Sequence, residues 1–277
     1  MTSKPFRFGI VAGFSPDLTA WTAQARQIEE LGLDTMLATD PVAGSDPLTL
    51  VPAAAAVTGT LRVGTFVLAD PFRDPRQLDW QVQSLHRQTG GRFELGLGAG
   101  RPGADDHARS LGREYPAMGR RIERLEATIE LLKGTADRPK LLMAARGPKM
   151  LALAAREADI VTFSWLPRTT PDEAQSIVDR FRELAGSRLD EIELAVNLMA
   201  VGDQPAPHVA RFAGVDVPEL AASGAVTVIP EDPSHAADTL LGWRENWGIS
   251  YVTVNSGCVR PFAAIARSLR ATDPAPG

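Results

Sequence analysis

Short apolar runs of strand length alternate along the chain with amphipathic segments of helical period. The first run covers residues 6–12, and the helix after it has one apolar face, formed by Leu18, Trp21, Ala25 and Ile28. Seven more runs follow, at residues 35–39, 61–68, 92–97, 140–145, 159–164, 193–201 and 250–255. Runs with so few polar positions are typical of parallel strands buried on both faces. Eight of them separated by helices predict a (β/α)8 TIM barrel, with a doubly wound open sheet as the structural alternative.

The alternation is lost between residues 203 and 233. Proline and glycine interrupt this segment repeatedly, and the extra apolar run at 225–229 is not part of a clean strand-helix unit. The segment is therefore predicted to be an irregular insertion, either a lid or an added hairpin. No linker or internal repeat divides the rest, so residues 1–277 are predicted to form one domain.

Composition and charge narrow the range of partners. A hydrophobic fraction of 44% with only 6% aromatic residues fits an aliphatic α/β core, and a net charge of −5 gives no basic surface for nucleic acid or an anionic membrane. No apolar run is long enough for a membrane span, and the N-terminus lacks the pattern of a signal peptide. A single cysteine, Cys258, excludes an internal disulfide. These features predict a soluble, cytoplasmic protein.

Glycines are concentrated after the fourth run. Gly98, Gly100 and Gly103 match the spacing G-x-G-x-x-G of dinucleotide-binding proteins. That fingerprint requires a helix that opens within the glycines, whereas residues 102–106 are predicted to be a loop. The next predicted helix carries Ile122, Leu125, Ile129 and Leu132 on one face. We interpret the glycines as a place where a ligand approaches the backbone closely, with an ordinary turn as the alternative.

Three further features lie where strands end, which is where barrels carry their chemistry. Asp40 either orients the polar edge of a ring or caps the turn before Pro41. Residues 146–149 place Arg146 and Lys149 beside a helix that opens at Pro148, and this arrangement favours a phosphate site over a plain helix start. Trp165 either forms the wall of a planar-ligand site or packs in the core.

Other chemistries have little support in the sequence. The four histidines are scattered, without the spacing of metal ligands, and the acidic cluster at 105–107 is predicted to be a solvated loop. A hydrolase elbow and a Walker motif are both missing, and no lysine is well placed on a strand for an aldolase. The basic run at 113–124 is predicted to be a solvent-facing helix with local ion pairs.

Several motifs in order resemble the luciferase-like monooxygenase superfamily, and the spacing is most similar to the short branch that uses coenzyme F420. The resemblance runs from residue 6 to about residue 254 and fades between 202 and 234. Its most specific parts are Asp46-Pro-Leu-Thr-Leu50, Leu61-Arg-Val-Gly-Thr65, residues 90–100, Gly119-Arg-Arg-Ile-Glu-Arg-Leu125 with Leu131-Leu-Lys-Gly134, and Arg146-Gly147-Pro148.

The resemblance implies a bound deazaflavin, with its ring in the barrel mouth and its phosphate at the fifth strand-helix loop; FMN is the alternative cofactor. By position, Asp40 would contact the ring, and a non-prolyl cis peptide bond is expected between Phe66 and Val67. The remaining cofactor-binding positions that the resemblance implies are Thr65, Phe66, Val67 and Ala69 against the ring face, and Ala99, Gly100, Arg146, Gly147, Lys149 and Ser164 around the tail and phosphate.

Two positions depart from the sugar-phosphate dehydrogenases of that family. Pro41 stands where they have histidine and Arg101 where they have glutamate, and neither residue can accept the substrate proton of an alcohol oxidation. A reduction is therefore predicted, in which hydride passes from reduced deazaflavin to an electron-poor C=C or C=N of a small or peptide-borne substrate. Arg101 and Asp40 are the predicted catalytic residues, and Arg101 would stabilise the developing negative charge. Tyr115, His107 and water are the candidate proton donors.

Two other functions stay open at this point. The first is an FMNH2-dependent monooxygenase, and the second is a non-catalytic cofactor-binding barrel. The expected partners are the substrate and a separate reductase that regenerates the reduced cofactor, and a homodimer is compatible with the sequence. Nucleic acid and membranes are not expected partners, and no metal is expected.

Overall fold

The computed structural model describes residues 4–13, 15–42, 44–204 and 207–272. The strands are β1 Arg7–Ala12, β2 Thr35–Ala38, β3 Arg62–Thr65, β4 Leu68–Ala69, β5 Phe93–Gly98, β6 Lys140–Ala145, β7 Ile160–Phe163, β8 Glu193–Leu198, β9 Ala200–Val201, β10 Val228–Ile229 and β11 Ile249–Asn255. The helices are α1 Leu18–Glu30, α2 Pro47–Ala56, α3 Pro75–Gln88, α4 Asp105–Ser110, α5 Met118–Leu132, α6 Pro148–Glu157, α7 Pro171–Ala185, α8 Pro207–Ala213, α9 Val217–Ala222, α10 Pro233–Trp247 and α11 Val259–Thr272.

Nine of these strands form one closed parallel sheet. Their order is β3-β2-β1-β11-β8-β7-β6-β5-β4, and β3 also pairs with β5. The sheet closes because the first and last strands are neighbours, with Arg7 opposite Tyr251. The prediction of a (β/α)8 TIM barrel is confirmed, and the open-sheet alternative is wrong.

A bulge divides the third strand of the barrel into β3 and β4. Gly64 is opposite Glu94, and four residues later Leu68 is opposite Leu97, so the third strand has one residue more than β5 over this stretch. Thr65 fills the gap in the ladder: its hydroxyl donates to the Gly96 carbonyl and accepts from the Gly96 amide, both at 2.9 Å. The peptide bond between Phe66 and Val67 is cis, as expected.

The insertion has its own small sheet. β9 pairs with β10 in parallel, and α8 and α9 lie between them in sequence. An added hairpin would be antiparallel, so that alternative is wrong. Apolar side chains in and next to these two strands and from the two helices form a separate small core. It includes Met199, Val215, Val217 and Leu220.

Two apolar layers hold the barrel together. Most buried residues lie between the strands and the surrounding helices; the Trp21 indole, for example, donates to the Leu50 carbonyl at 2.8 Å. The inner layer is smaller, and because its members come from six different strands they meet only inside the barrel. These residues are Val11, Leu37, Leu142, Ile160, Ala195 and Tyr251. No helix within the described ranges is long and apolar enough to cross a membrane.

Two local predictions need correction. Residues 105 and 106 are not loop, because α4 begins at Asp105 and carries both acids in its first turn. Leu18 was assigned to the apolar face of α1, but its exposed fraction is 57%, since it is the first helical residue and extends past the barrel layer.

Candidate active site

The predicted site residues gather at one rim of the barrel, because the C-terminal ends of parallel strands share one edge. Ala69 lies opposite Gly98 where β4 and β5 pair. On the other side, the Ser164 amide donates to the Ala145 carbonyl at 3.0 Å, so Ser164 lies beside the loop that carries Arg146. The structure therefore brings the residues together in two groups, around β4–β5 and around β6–β7.

Asp40 joins the first group through three charge-assisted hydrogen bonds. Its carboxylate accepts from both terminal nitrogens of Arg73, at 2.6 and 2.8 Å, and from the Ala69 amide at 2.8 Å. Arg73 also lies 3.7 Å from Asp46, which caps α2. Both Asp40 oxygens are thus occupied, and the arrangement fixes the backbone just beyond the bulge.

The glycines of β5 make room for that bulge. A Cβ at Gly96 would lie 1.9 Å from the Thr65 carbonyl oxygen, and one at Gly98 would lie 3.0 Å from a Val67 methyl. Val67 and Phe66 in turn pack on the inner apolar layer. The space left by Gly96 and Gly98 is therefore filled by the neighbouring strand, a cause that the sequence interpretation of a ligand approach did not foresee.

Gly100 has a different role, which depends on Tyr115. Its φ of +77° is in the left-handed region, and a Cβ there would lie 2.3 Å from the Tyr115 hydroxyl. That hydroxyl donates to the Arg101 carbonyl at 2.6 Å. Burial raises the pKa of Tyr115, although the nearby Arg121 and Arg101 charges lower it. The Tyr115 hydroxyl thus holds the loop that carries Arg101.

The second group offers free positive charge at the start of α6. Arg146 and Lys149 are exposed, and neither side chain has a hydrogen bond or ion pair to any of the described residues. No side chain caps the helix, whose N-cap is Gly147 and whose first residue is Pro148. Uncapped amides and two cations beside Ser164 are suited to an anion.

Sequence reasoning missed three polar residues at the rim: Thr253, Asn197 and Arg73. The Thr253 hydroxyl donates to the Asn197 side-chain oxygen at 2.9 Å, and the Asn255 amide donates to the Met199 carbonyl at 3.2 Å. Asn197 could have been identified, because it interrupts the apolar run of β8 one residue before that strand ends. Arg73 carried no sequence signal, since its partner Asp40 lies in another loop.

Two predictions about nearby residues are resolved by packing. Trp165 is 8% exposed and stacks on Phe163, with Trp243 and Trp247 edge-on to it, so it belongs to the outer core and is not a ligand wall.

The basic run at 113–124 is not a set of local ion pairs. Arg124 instead reaches Asp70, Nε to Oδ2 at 2.8 Å. Within the described residues no cluster of three metal-ligating side chains occurs.

Comparison with known proteins gives one family. A family described as luciferase-like monooxygenase matches residues 5–212. A 4-hydroxyprotoasukamycin monooxygenase from Streptomyces nodosus subsp. asukaensis is 38% identical over 92 residues, which are 32% of this chain and 24% of that protein. The chain thus matches about a quarter of that relative's length.

Solved structures agree on the fold. The coenzyme F420-dependent tetrahydromethanopterin reductase from Methanopyrus kandleri has a TM-score of 0.73 at 15% identity, covering 97% of this chain and 99% of that one. A riboflavin lyase, solved with a modified FMN and riboflavin, has a TM-score of 0.78 at 15% identity, covering 99% of this chain and 93% of that one. Identities this low show the fold and leave the cofactor open.

Proposed function

Because the chain belongs to the luciferase-like monooxygenase family, we propose that it is an F420-dependent oxidoreductase that reduces an electron-poor C=C or C=N bond. The observation that carries the proposal is the anion site at α6. Arg146, Lys149 and the uncapped amides fit the phosphate of such a cofactor, and Ser164 adds a hydroxyl. Reduced deazaflavin, when bound, supplies a hydride.

The first group of rim residues would hold and shield the ring. Phe66 and Val67 present apolar surface above the inner layer and exclude water from it. Thr65 and the Asp40–Arg73 pair fix the two ends of the bulge, so that this surface keeps its orientation. With three hydrogen bonds to its carboxylate, Asp40 acts by positioning Ala69 rather than by moving a proton.

The loop at Gly100, which follows β5, is the next part of the proposed site. Ala99 and Gly100 would lie along the cofactor, and Arg101 would stabilise the negative charge that develops when the substrate accepts hydride. The Tyr115 hydroxyl is committed to the Arg101 carbonyl, so the proton that completes the reduction would come from His107 or from water. A separate reductase would restore the reduced cofactor.

An FMN-dependent monooxygenase is the second candidate. The 92-residue similarity to 4-hydroxyprotoasukamycin monooxygenase favours it, and the same anion site would accept an FMN phosphate. F420 carries further anionic groups in its tail, and these would add contacts to Arg146 and Lys149.

Titration of the purified protein with F420 and FMN, each oxidised and reduced, separates the two candidates. We expect F420 to bind more tightly than FMN, with an optical change of the deazaflavin on binding. Tighter binding of FMN together with oxygen-dependent turnover would move the protein to the monooxygenases. Binding of neither cofactor would contradict both candidates.

A further inference from the structure

A cavity of about 480 Å³ lies beside the barrel, where the insertion meets the start of α7 and one face of α10. Sites for small molecules have volumes of roughly 300–1,000 Å³. The cavity lies where two apolar cores meet, because Ala225 belongs to the small core of the insertion and Val226 and Ile229 belong to the core outside the strands. Its described lining residues include none of the positions proposed to bind the cofactor.

Hydrogen bonds hold the insertion side of the cavity in place. The Val226 amide donates to the Thr169 carbonyl at 3.0 Å, and the Thr227 hydroxyl donates to the Pro167 carbonyl at 2.6 Å. Both acceptors lie in the loop between β7 and α7, so the insertion is joined to the barrel next to the cavity. The cavity is therefore preformed, as small-molecule sites usually are.

Trp243 of α10 gives the cavity an aromatic wall. Its indole stacks on Trp247, with ring centres 5.5 Å apart and planes at 26°, and Trp165 packs edge-on to it at 5.9 Å. Two other tryptophans thus fix the position of this half-buried side chain. The face of an indole ring attracts cations more strongly than any other side-chain ring does.

The charge along the cavity is negative. Glu231 and Asp203 both line it and are exposed, and neither forms an ion pair with a cation of the described residues. Asp203 accepts only from the Gln204 side chain, at 3.2 Å. Gly202, with φ of +80°, leaves room for Glu231, since a Cβ there would lie 3.2 Å from the Glu231 Oε2. No lysine, arginine or histidine is found among the lining residues that the structure describes.

Two cations on neighbouring elements are already paired. Arg168 forms an ion pair with Glu219 of α9, and His235 lies 3.6 Å from Asp232 at the start of α10. These pairs leave the two carboxylates of the cavity available to a cation from solution.

We propose that this cavity binds a small organic cation, in which an ammonium group is attached to an apolar body. The ammonium would donate to the carboxylates of Glu231 and Asp203, and the apolar body would pack on Trp243 and the aliphatic walls. An anion would be repelled by the carboxylates. The inference goes beyond the proposed function and does not depend on it, since the cavity and the proposed cofactor site share no residue.

The test titrates the protein by calorimetry with benzylammonium, and with benzyl alcohol as its uncharged counterpart. Benzylammonium should bind more tightly than benzyl alcohol. Glu231→Gln should weaken benzylammonium binding about fivefold and leave benzyl alcohol binding unchanged, because it removes a charge and keeps the shape. Glu130→Gln is the matched control and should change neither, since Glu130 is an exposed carboxylate on α5 outside the cavity lining.

Trp243→Leu tests the aromatic wall. It should weaken benzylammonium binding about tenfold and benzyl alcohol binding less, because only the cation loses its attraction to the ring. The indole also packs on Trp247, so the melting temperature of this variant is measured as well. Should the variant not fold, Ala221→Phe fills the cavity from a half-buried position on α9 and should abolish binding of both probes.

Absence of benzylammonium binding to the wild-type protein would overturn the inference, as would equal affinity for benzylammonium and benzyl alcohol. So would benzylammonium binding that is unchanged when Glu231→Gln and Asp203→Asn are combined, because the carboxylates would then have no part in it. A fourth contrary result is binding of calcium ions alone that displaces benzylammonium and is unaffected by Trp243→Leu, which would mark a site for an inorganic cation.

Discussion

At the N-terminal end of the barrel Arg7 lies between two carboxylates. At the C-terminal rim, by contrast, Arg146 and Lys149 have no hydrogen-bond or ion-pair partner among the described residues. Arg7 is 2.7 Å from Glu94 and 2.8 Å from Glu193, and Arg62 lies 2.6 Å from the same Glu94 oxygen as Arg7. Burial would lower the pKa of Arg7, but the two carboxylates and Tyr251 outweigh it and raise that pKa.

The difference separates structural charge from charge kept for a ligand. At the N-terminal end Arg7 and Arg62 are paired with carboxylates within the fold, so this network holds strands together and has little left to offer a solute. At the start of α6 the cations are exposed and the helix amides uncapped, which costs little in water and leaves them available. Whether a charged residue is paired within the fold therefore predicts whether its loss harms stability or binding, and the paired Asp40 and Arg73 at the rim belong with the structural charges.

The largest expected effect is at the N-terminal end, for Glu94→Gln. The Glu94 side chain is fully buried, and its replacement leaves Arg62 without a carboxylate partner and Arg7 with Glu193 alone. We expect a loss of about 3–5 kcal/mol in the free energy of unfolding, measured with urea. Glu183→Gln, at an exposed ion pair with Arg180, is the control and should change it by less than about 0.5 kcal/mol. A loss at Glu94 as small as that of the control would remove the contrast between the two ends.

Gly96→Ala tests whether the rim glycines serve the fold. The new Cβ would meet the Thr65 carbonyl oxygen at 1.9 Å, and backbone on two strands would have to move. We expect a loss of about 3 kcal/mol in the free energy of unfolding, the upper part of the range for overpacking. Gly119→Ala in α5, where a Cβ has open space, should be neutral or stabilising by about 0.5–1 kcal/mol. A stable Gly96→Ala protein with weakened cofactor binding would restore the ligand-approach interpretation.

Arg146→Ala should affect binding and leave stability nearly unchanged. Loss of a charge-assisted hydrogen bond to the phosphate is expected to weaken F420 binding by about 1.5–3 kcal/mol, measured by titration at fixed salt. The free energy of unfolding should stay within about 0.5 kcal/mol, because the side chain is exposed and has no described partner. Arg180→Ala should leave F420 affinity unchanged. Equal affinity of both variants would reduce the α6 loop to an ordinary helix start.

The smallest expected effect is the contribution of Asp159 to the pH dependence of the free energy of unfolding. Burial would raise the pKa of this carboxyl, but hydrogen bonds from Arg138 and the Leu141 amide outweigh it and lower the pKa below its ordinary 3.8. Ionised Asp159 therefore stabilises the protein above that value, and the contribution is lost as pH falls below it. Asp159→Asn should cost about 1 kcal/mol at pH 7, and urea unfolding at a series of pH values should show the gap closing in acid. A gap that widens in acid would contradict this assignment.

The barrel was predictable because each of its strands is buried on both faces and leaves an apolar run in the sequence. Run ends agree with the strands to within a residue or two, as at β6. The short β9–β10 pair was not predictable as parallel, since two-residue strands leave almost no periodic signal and are held by distant partners. Only the family resemblance pointed to the bulge, since nothing in the apolar run at 61–68 marks an extra residue.

The candidate site was less predictable than the barrel. Strand ends with unusual residues, such as Asp40 and Arg146, were found because the rim of a barrel is fixed by its topology. Their partners were not, because an ion pair such as Asp40–Arg73 or Arg7–Glu193 joins residues that only the folded chain brings together. Glycine is ambiguous for a related reason: the sequence shows that space is needed at Gly96 but not which group fills it.

The pairing of β1 with β11 also has a consequence for synthesis on the ribosome. Strand β1 is made before every other strand of the barrel, yet one edge of it has no neighbour until residues 249–255 have been made. Until then the growing chain presents open parallel strand edges and an incomplete apolar lining, and such features promote aggregation. Closure of the barrel brings together residues that are far apart in sequence, and contacts between such residues form slowly. The nascent chain is therefore expected to need a chaperone, or a slow release, more than the finished barrel does.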